Sequence, residues 1–167
     1  MIAAKNFNRG LFILRQLFFG TIDMLLHTLH DSQYTEEMKE KYEFNWGDLR
    51  KLVKRDGYKP DSGDLWGELL KRISLQIPVE NANPIATFGH IAGGYEARYY
   101  SYMWAEVFCC DMFSIFEKEG IMNPTLGRKY RDVILAPGGS RDSQEILEEF
   151  LGREPSQEPF IRMNELQ

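Results

Sequence analysis

The fold turns on GGYEARYYSYMWAEVFCCDMFSIFEKEG, residues 93–120. The spacing predicts one long helix from Tyr95 to Glu119, with Gly120 as the glycine that commonly follows a last helical turn. On such a helix Tyr95, Tyr99 and Tyr102 stand at i, i+4 and i+7 and share a face. Aromatic residues at this spacing read first as core, because each ring buries a large area. A second reading stays open beside it. A buried phenol needs a hydrogen-bond partner, and where the protein supplies none a substrate carbonyl can accept. With a pKa of about 10 the phenol remains a proton donor at neutral pH, which suits it to stabilising an oxyanion. Gly93 and Gly94 ahead of this face read either as a flexible rim that lets backbone approach a ligand or as an ordinary turn. His90 can orient a substrate or donate to a developing negative charge, and equally can be satisfied locally.

Working outward, Leu11, Leu14, Phe18, Ile22, Leu25 and Leu29 advance by three or four and predict a helix over 9–30, with Asn8 as its N-cap. Gly20 lies inside it, where glycine costs about 1 kcal/mol relative to alanine. Thr35, and then Asn45 with Asp48, mark two short helix starts before Gly57 and Pro60 break the chain. In DLWGELLKRISLQ, Leu65, Leu69 and Ile73 repeat every four residues behind Asp64 as a cap. Beyond Gly120, Asn123 and Pro124 fit the N-cap and first turn of a helix carrying Leu126, Tyr130, Val133 and Ile134. Ser140 starts another that presents Ile146, Leu147, Phe150 and Leu151 and stops at Gly152, and a last short helix surrounds Phe160. No alternating strand run and no repeat period appears, so the fold class is all-α.

The 167 residues fit one domain, with 43% hydrophobic and 27% charged residues as in globular proteins. A net charge of -5 argues against nucleic acid as a partner. No run of about eighteen apolar residues points to a membrane, and MIAAKNFNRG lacks the order of a secretory signal, so a cytosolic or organellar setting is expected. Adjacent Cys109 and Cys110 cannot bridge to each other within a helix and read as buried thiols, with a redox or metal role as the alternative. Asp23, His27 and His30 could face one metal, or lie on an ordinary helix surface. No H-E-x-x-H run, serine nucleophile elbow or phosphate loop occurs, so none of the chain's own residues is assigned as a metal ligand.

In order along the chain, GLFILRQ with DMLLHT, ATFGHIAGGYEARYYSYMWAEVFCCDMF, GRKYRDVILAPGGS and FLGREP resemble the C-terminal part of the thimet oligopeptidase and neurolysin family of zinc metallopeptidases. The resemblance covers roughly 6–30 and 84–160. It implies a largely helical wall of a narrow channel that admits short peptides. It also implies that His90 is catalytic, that Gly93 and Gly94 form a loop over the substrate, and that Tyr95 recognises the substrate. Tyr99 and Tyr102 would approach the scissile carbonyl, one of them stabilising the oxyanion. Zinc is expected on a portion of the enzyme missing from this chain, which would be a partner, and the chain alone is expected to be inactive. Residues 43–80 read as an insertion relative to the family.

A different class of function is a non-catalytic helical protein that binds peptides or a partner chain through its tyrosine face. A portion cut from a two-sided cleft should also expose apolar surface and associate.

Overall fold

The computed structural model describes residues 6–27 and 62–166. Its helices are α1 (Arg9–His27), α2 (Ser62–Ile73), α3 (Ser101–Glu119), α4 (Pro124–Tyr130), α5 (Ser143–Leu151) and α6 (Glu158–Met163). Among the described residues there is no strand, and the all-α class holds. The helix starts expected at Thr35 and at Asn45 with Asp48 lie outside the described residues, as do Leu29 and His30. Two compact units appear, one containing the described residues from Asn8 to Ser101 and the other those from Tyr102 onward with Asn6 and Phe7.

In the first unit α1 lays Phe18, Ile22 and Leu25 against Trp66 and Leu69 of α2 and against Ile85. Each such side chain, fully buried, contributes about 1.5–3 kcal/mol, so this face holds the two helices together. The Trp66 ring meets the Phe18 ring edge-on at 4.7 Å. Trp66 therefore takes the core place that the four-residue repeat assigned to Leu65 and Ile73, which are only half-buried. Leu11 is exposed, so the buried stripe of α1 begins later than the periodicity indicated. By length and hydropathy α1 alone would pass for a membrane span. One face of it packs on α2, and 33% of its apolar stretch is buried.

After α2 the chain makes two short 3-10 turns, Pro84–Thr87 and Gly89–Ala92, and then a run of turns up to Tyr100. The helix expected from Tyr95 begins only at Ser101. Gly94 at φ +92° and Ala97 at φ +56° have left-handed backbone, which a right-handed helix does not accommodate. Tyr95 and Tyr99 thus precede the helix that carries Tyr102, and the three do not form one helical face.

In the second unit the signals at Gly120, Asn123, Pro124 and Gly152 act as read. Gly120 follows α3 at φ +106°. The Asn123 side chain accepts from Thr125 N and Leu126 N at 3.0 and 3.1 Å, with Pro124 in the first turn of α4. Gly152 closes α5 at φ +73°. The cap of α5 is Asp142, which accepts from Gln144 N at 2.9 Å, whereas Ser140 ends a 3-10 turn and donates to the Pro137 carbonyl at 2.7 Å. Past Tyr130 the helix widens into a π turn, Arg131–Leu135, that carries Val133 and Ile134.

Phe150 centres this unit's aromatic packing, against Tyr130 at 5.7 Å and Phe116 at 6.3 Å. Asp111 of α3 is wholly buried. Both its oxygens bind the Arg153 guanidinium, and Oδ2 also accepts from Ser156 N at 2.7 Å. Cys109 is exposed and Cys110 half-buried, which corrects the expectation of buried thiols, and neither forms a disulfide. They lie on a helix whose only buried residue is Asp111, so helical periodicity gave them no core to enter.

Candidate functional site

A wide-open cleft of about 510 Å³ lies in the first unit. Its lining includes His90, Gly93, Tyr95 and Tyr99, with Phe19 and Phe88 as the apolar part. Four of the residues singled out in the sequence thus come together. Gly94 is next to the lining, and its N–H donates to Glu96 Oε1 at 3.2 Å. Tyr102 belongs to α3 and is 44% exposed.

The glycine pair is required by two different geometries. A Cβ on Gly93 would stand 2.7 Å from the Gly89 carbonyl oxygen, closer than any side chain tolerates. Gly94 instead needs its positive φ, which L side chains rarely adopt. The cavity rim is therefore a tight turn, closed by the approach of Gly93 to the Gly89 carbonyl.

The imidazole of His90 sits among rings. It meets Tyr99 edge-on at 5.1 Å, Tyr95 edge-on at 5.6 Å and Phe88 tilted at 5.4 Å. Tyr99 is further packed edge-on against Phe19 and Phe88 at 5.4 and 5.2 Å, which leaves it 7% exposed. Its hydroxyl donates to Gln16 Oε1 at 3.0 Å. Burial raises the Tyr99 pKa above the ordinary phenol value, against the opposing pull of the Arg15 charge and the Gln16 bond. The group is a proton donor through the neutral range.

What holds this segment in place is Asp23, whose side chain is fully buried in α1. Its Oδ2 accepts from Tyr99 N at 2.9 Å and its Oδ1 from Ala97 N at 3.1 Å. His27 Nδ1 lies 2.9 Å from Oδ1 and equally 2.9 Å from the Asp23 carbonyl oxygen. Both are acceptors, so Nδ1 carries the proton. At Gly20, one turn earlier, the Tyr100 backbone passes α1 at a distance that leaves room for a methyl group: a Cβ there would be 3.4 Å from Tyr100 Cα. The glycine that weakened the helix pattern is where the tyrosine segment crosses α1.

This arrangement bears on the metal reading of Asp23, His27 and His30. The carboxylate is engaged by amide donors, His30 lies outside the described residues, and no group of three or more metal-ligating side chains forms among those described. The described residues do not fit a zinc site. Sequence reasoning missed Gln16 and considered Asp23 only as a metal ligand, not as the acceptor of the Ala97 and Tyr99 amides. The available signal for Asp23 was a carboxylate inside the apolar run FFGTIDMLL, since an acidic residue on a buried face requires partners.

The sequence matches the model of Peptidase family M3 over residues 1–166. The chain belongs to this family. Among its relatives, the thimet-like oligopeptidase of Dictyostelium discoideum is 34% identical over 162 residues, covering 97% of this chain and 20% of the relative. Oligopeptidase A of Escherichia coli is 38% identical over 162 residues, covering 96% of this chain and 20% of the relative. Saccharolysin of Saccharomyces cerevisiae is 36% identical over 167 residues, covering 97% of this chain and 20% of the relative. The chain thus spans about a fifth of the length of the family M3 proteins it matches.

Proposed function

We propose that this chain forms the substrate-facing part of a zinc metallo-oligopeptidase that hydrolyses peptide bonds in short peptides. The observation that carries the reading is the cavity lined by His90, Gly93, Tyr95 and Tyr99, in a chain that matches family M3 along its length. Zinc belongs to a portion of the enzyme outside this sequence, and that portion is the partner the chain requires. The turn at Gly93 and Gly94 borders the bound peptide and Tyr95 contributes to its recognition. Tyr99 supplies a neutral phenol that exchanges its bond to Gln16 for the oxygen of the reacting carbonyl, and Tyr102 is the second donor. His90 orients the substrate from within the ring cluster. Hydrogen bonds that strengthen as negative charge develops on oxygen lower the barrier more than they tighten ground-state binding.

The test is peptide cleavage by this chain joined to the metal-bearing portion, with Tyr99→Phe and Tyr102→Phe compared to the unaltered protein. Each substitution should lower kcat more than it raises KM. Unchanged turnover in both variants refutes the role. The chain by itself should cleave nothing. If the joined protein also binds no metal and cleaves nothing, the non-catalytic peptide-binding reading replaces this one.

A further inference from the structure

We infer that Asp23 is a positioning residue for this site: a buried carboxylate in α1 that fixes the Ala97–Tyr99 backbone and thereby aims the Tyr99 phenol. The inference rests on the proposed catalytic use of Tyr99 and extends it to a residue that touches no substrate. Three features converge. Asp23 is fully buried, and both oxygens accept backbone N–H bonds from a segment 74 to 76 residues away in sequence. Between the two bonded amides the chain has to pass through Ala97 at φ +56°, a backbone state that alanine does not choose unaided. The Tyr99 ring then enters the cavity directly from a bonded amide, with its hydroxyl 3.0 Å from Gln16, a residue of the same helix as Asp23.

A single helix therefore sets both ends of Tyr99. Asp23 holds its amide and Gln16 holds its hydroxyl, so α1 anchors the ring at both ends while Phe88 and His90 pack against it edge-on. His27 donates to the same carboxylate from the next turn of α1 and keeps Oδ1 facing the segment. Charge-assisted bonds of this kind are the strong ones, and they act on a site where a displacement of about 1 Å can cost roughly a hundredfold in rate.

The experiment pairs kinetics with amide exchange. In Asp23→Asn the residue keeps its shape but one oxygen acceptor becomes a donor facing a backbone N–H. The amides of Ala97 and Tyr99 should then exchange faster in this chain while those of α2 stay protected. In the enzyme joined to its metal-bearing portion, kcat should fall roughly ten- to a hundredfold with little change in KM. Ala97→Val disturbs the same turn without touching the buried carboxylate, because a β-branched residue opposes positive φ. It should reproduce the kcat-selective loss, and it decides the matter if Asp23→Asn unfolds. Unchanged exchange at Ala97 and Tyr99 in Asp23→Asn overturns the inference, as does full kcat in Ala97→Val. If the unaltered joined enzyme cleaves no peptide, the functional reading fails on its own, and the exchange pattern still decides whether Asp23 anchors the turn.

Discussion

Replacing Gly93 by alanine puts a single methyl group into the tightest contact at the cavity. The added carbon would stand 2.7 Å from the Gly89 oxygen, where ordinary contact begins at 3.4 Å, so the two must separate by about 0.7 Å. The obstructing atom is backbone and cannot rotate aside, and the 3-10 turn Gly89–Ala92 has to open. Overpacking of this sort costs about 1–3 kcal/mol. With a urea m-value of about 1–3 kcal/mol/M for a protein of this size, the unfolding midpoint should drop by roughly 1 M at unchanged slope. Gly20→Ala is the internal control. Its new carbon comes no nearer than 3.4 Å to Tyr100 and it gains about 1 kcal/mol of helix propensity. That variant should be as stable as the parent or more so. A Gly93→Ala protein within about 0.5 kcal/mol of the parent, a normal surface-substitution effect, would refute the reasoning.

In the second unit, Arg153→Ala should cost more stability than Asp111→Ala. The first strands a fully buried carboxylate, at about 3–5 kcal/mol, and the second leaves a guanidinium that still reaches water and one orphaned amide, at about 1–3 kcal/mol; equal losses in urea unfolding would contradict this. Alkaline titration followed by phenolate absorbance should show Tyr99 ionising after the exposed tyrosines. Because its folded pKa is raised, its contribution to stability is complete below the ordinary phenol value and is lost as pH climbs through the folded one, and a Tyr99→Phe protein should lose that late step. Glu96 behaves oppositely. Its carboxylate accepts from its own amide and from Gly94 N, which lowers its pKa, so its hold on the glycine turn is present above the ordinary carboxylate value and is lost as pH falls through the folded one; a Gly94 amide whose protection, relative to the intrinsic exchange rate at each pH, stays constant as the carboxylate is protonated would refute it. Exposed Trp104, Ile121, Met122 and Leu135 should drive the isolated chain to associate, and a monomer at high concentration on size exclusion would count against that expectation.

Much of the helical framework was legible because its determinants are local. Asn123 followed by Pro124, Gly120 and Gly152 each act through backbone groups a few residues away, so the sequence window that contains them contains the whole cause. The same holds for the stripe Phe18, Ile22 and Leu25, whose spacing announces a buried face before its partner is known. At the start of α5 the window was less decisive. The sequence reading started this helix at Ser140, whereas Asp142 caps it and the Ser140 hydroxyl donates back to the Pro137 carbonyl.

The tyrosine segment marks the limit of such reading. Its residue types and spacing, taken alone, established an all-α chain with phenols, a histidine and a glycine pair gathered in one stretch, and that stretch does line a cavity. Helical periodicity also placed Tyr95 and Tyr99 on the helix of Tyr102, and there the chain departs from it. The reason is a carboxylate more than seventy residues upstream. Two backbone N–H hydrogen bonds to Asp23 hold Ala97 in a left-handed conformation that its own sequence would not select. Local propensity fixes helix ends because capping energies are spent within one turn of chain, whereas the direction of Tyr99 is set by a buried ionic acceptor that exists only once α1 and the segment have met.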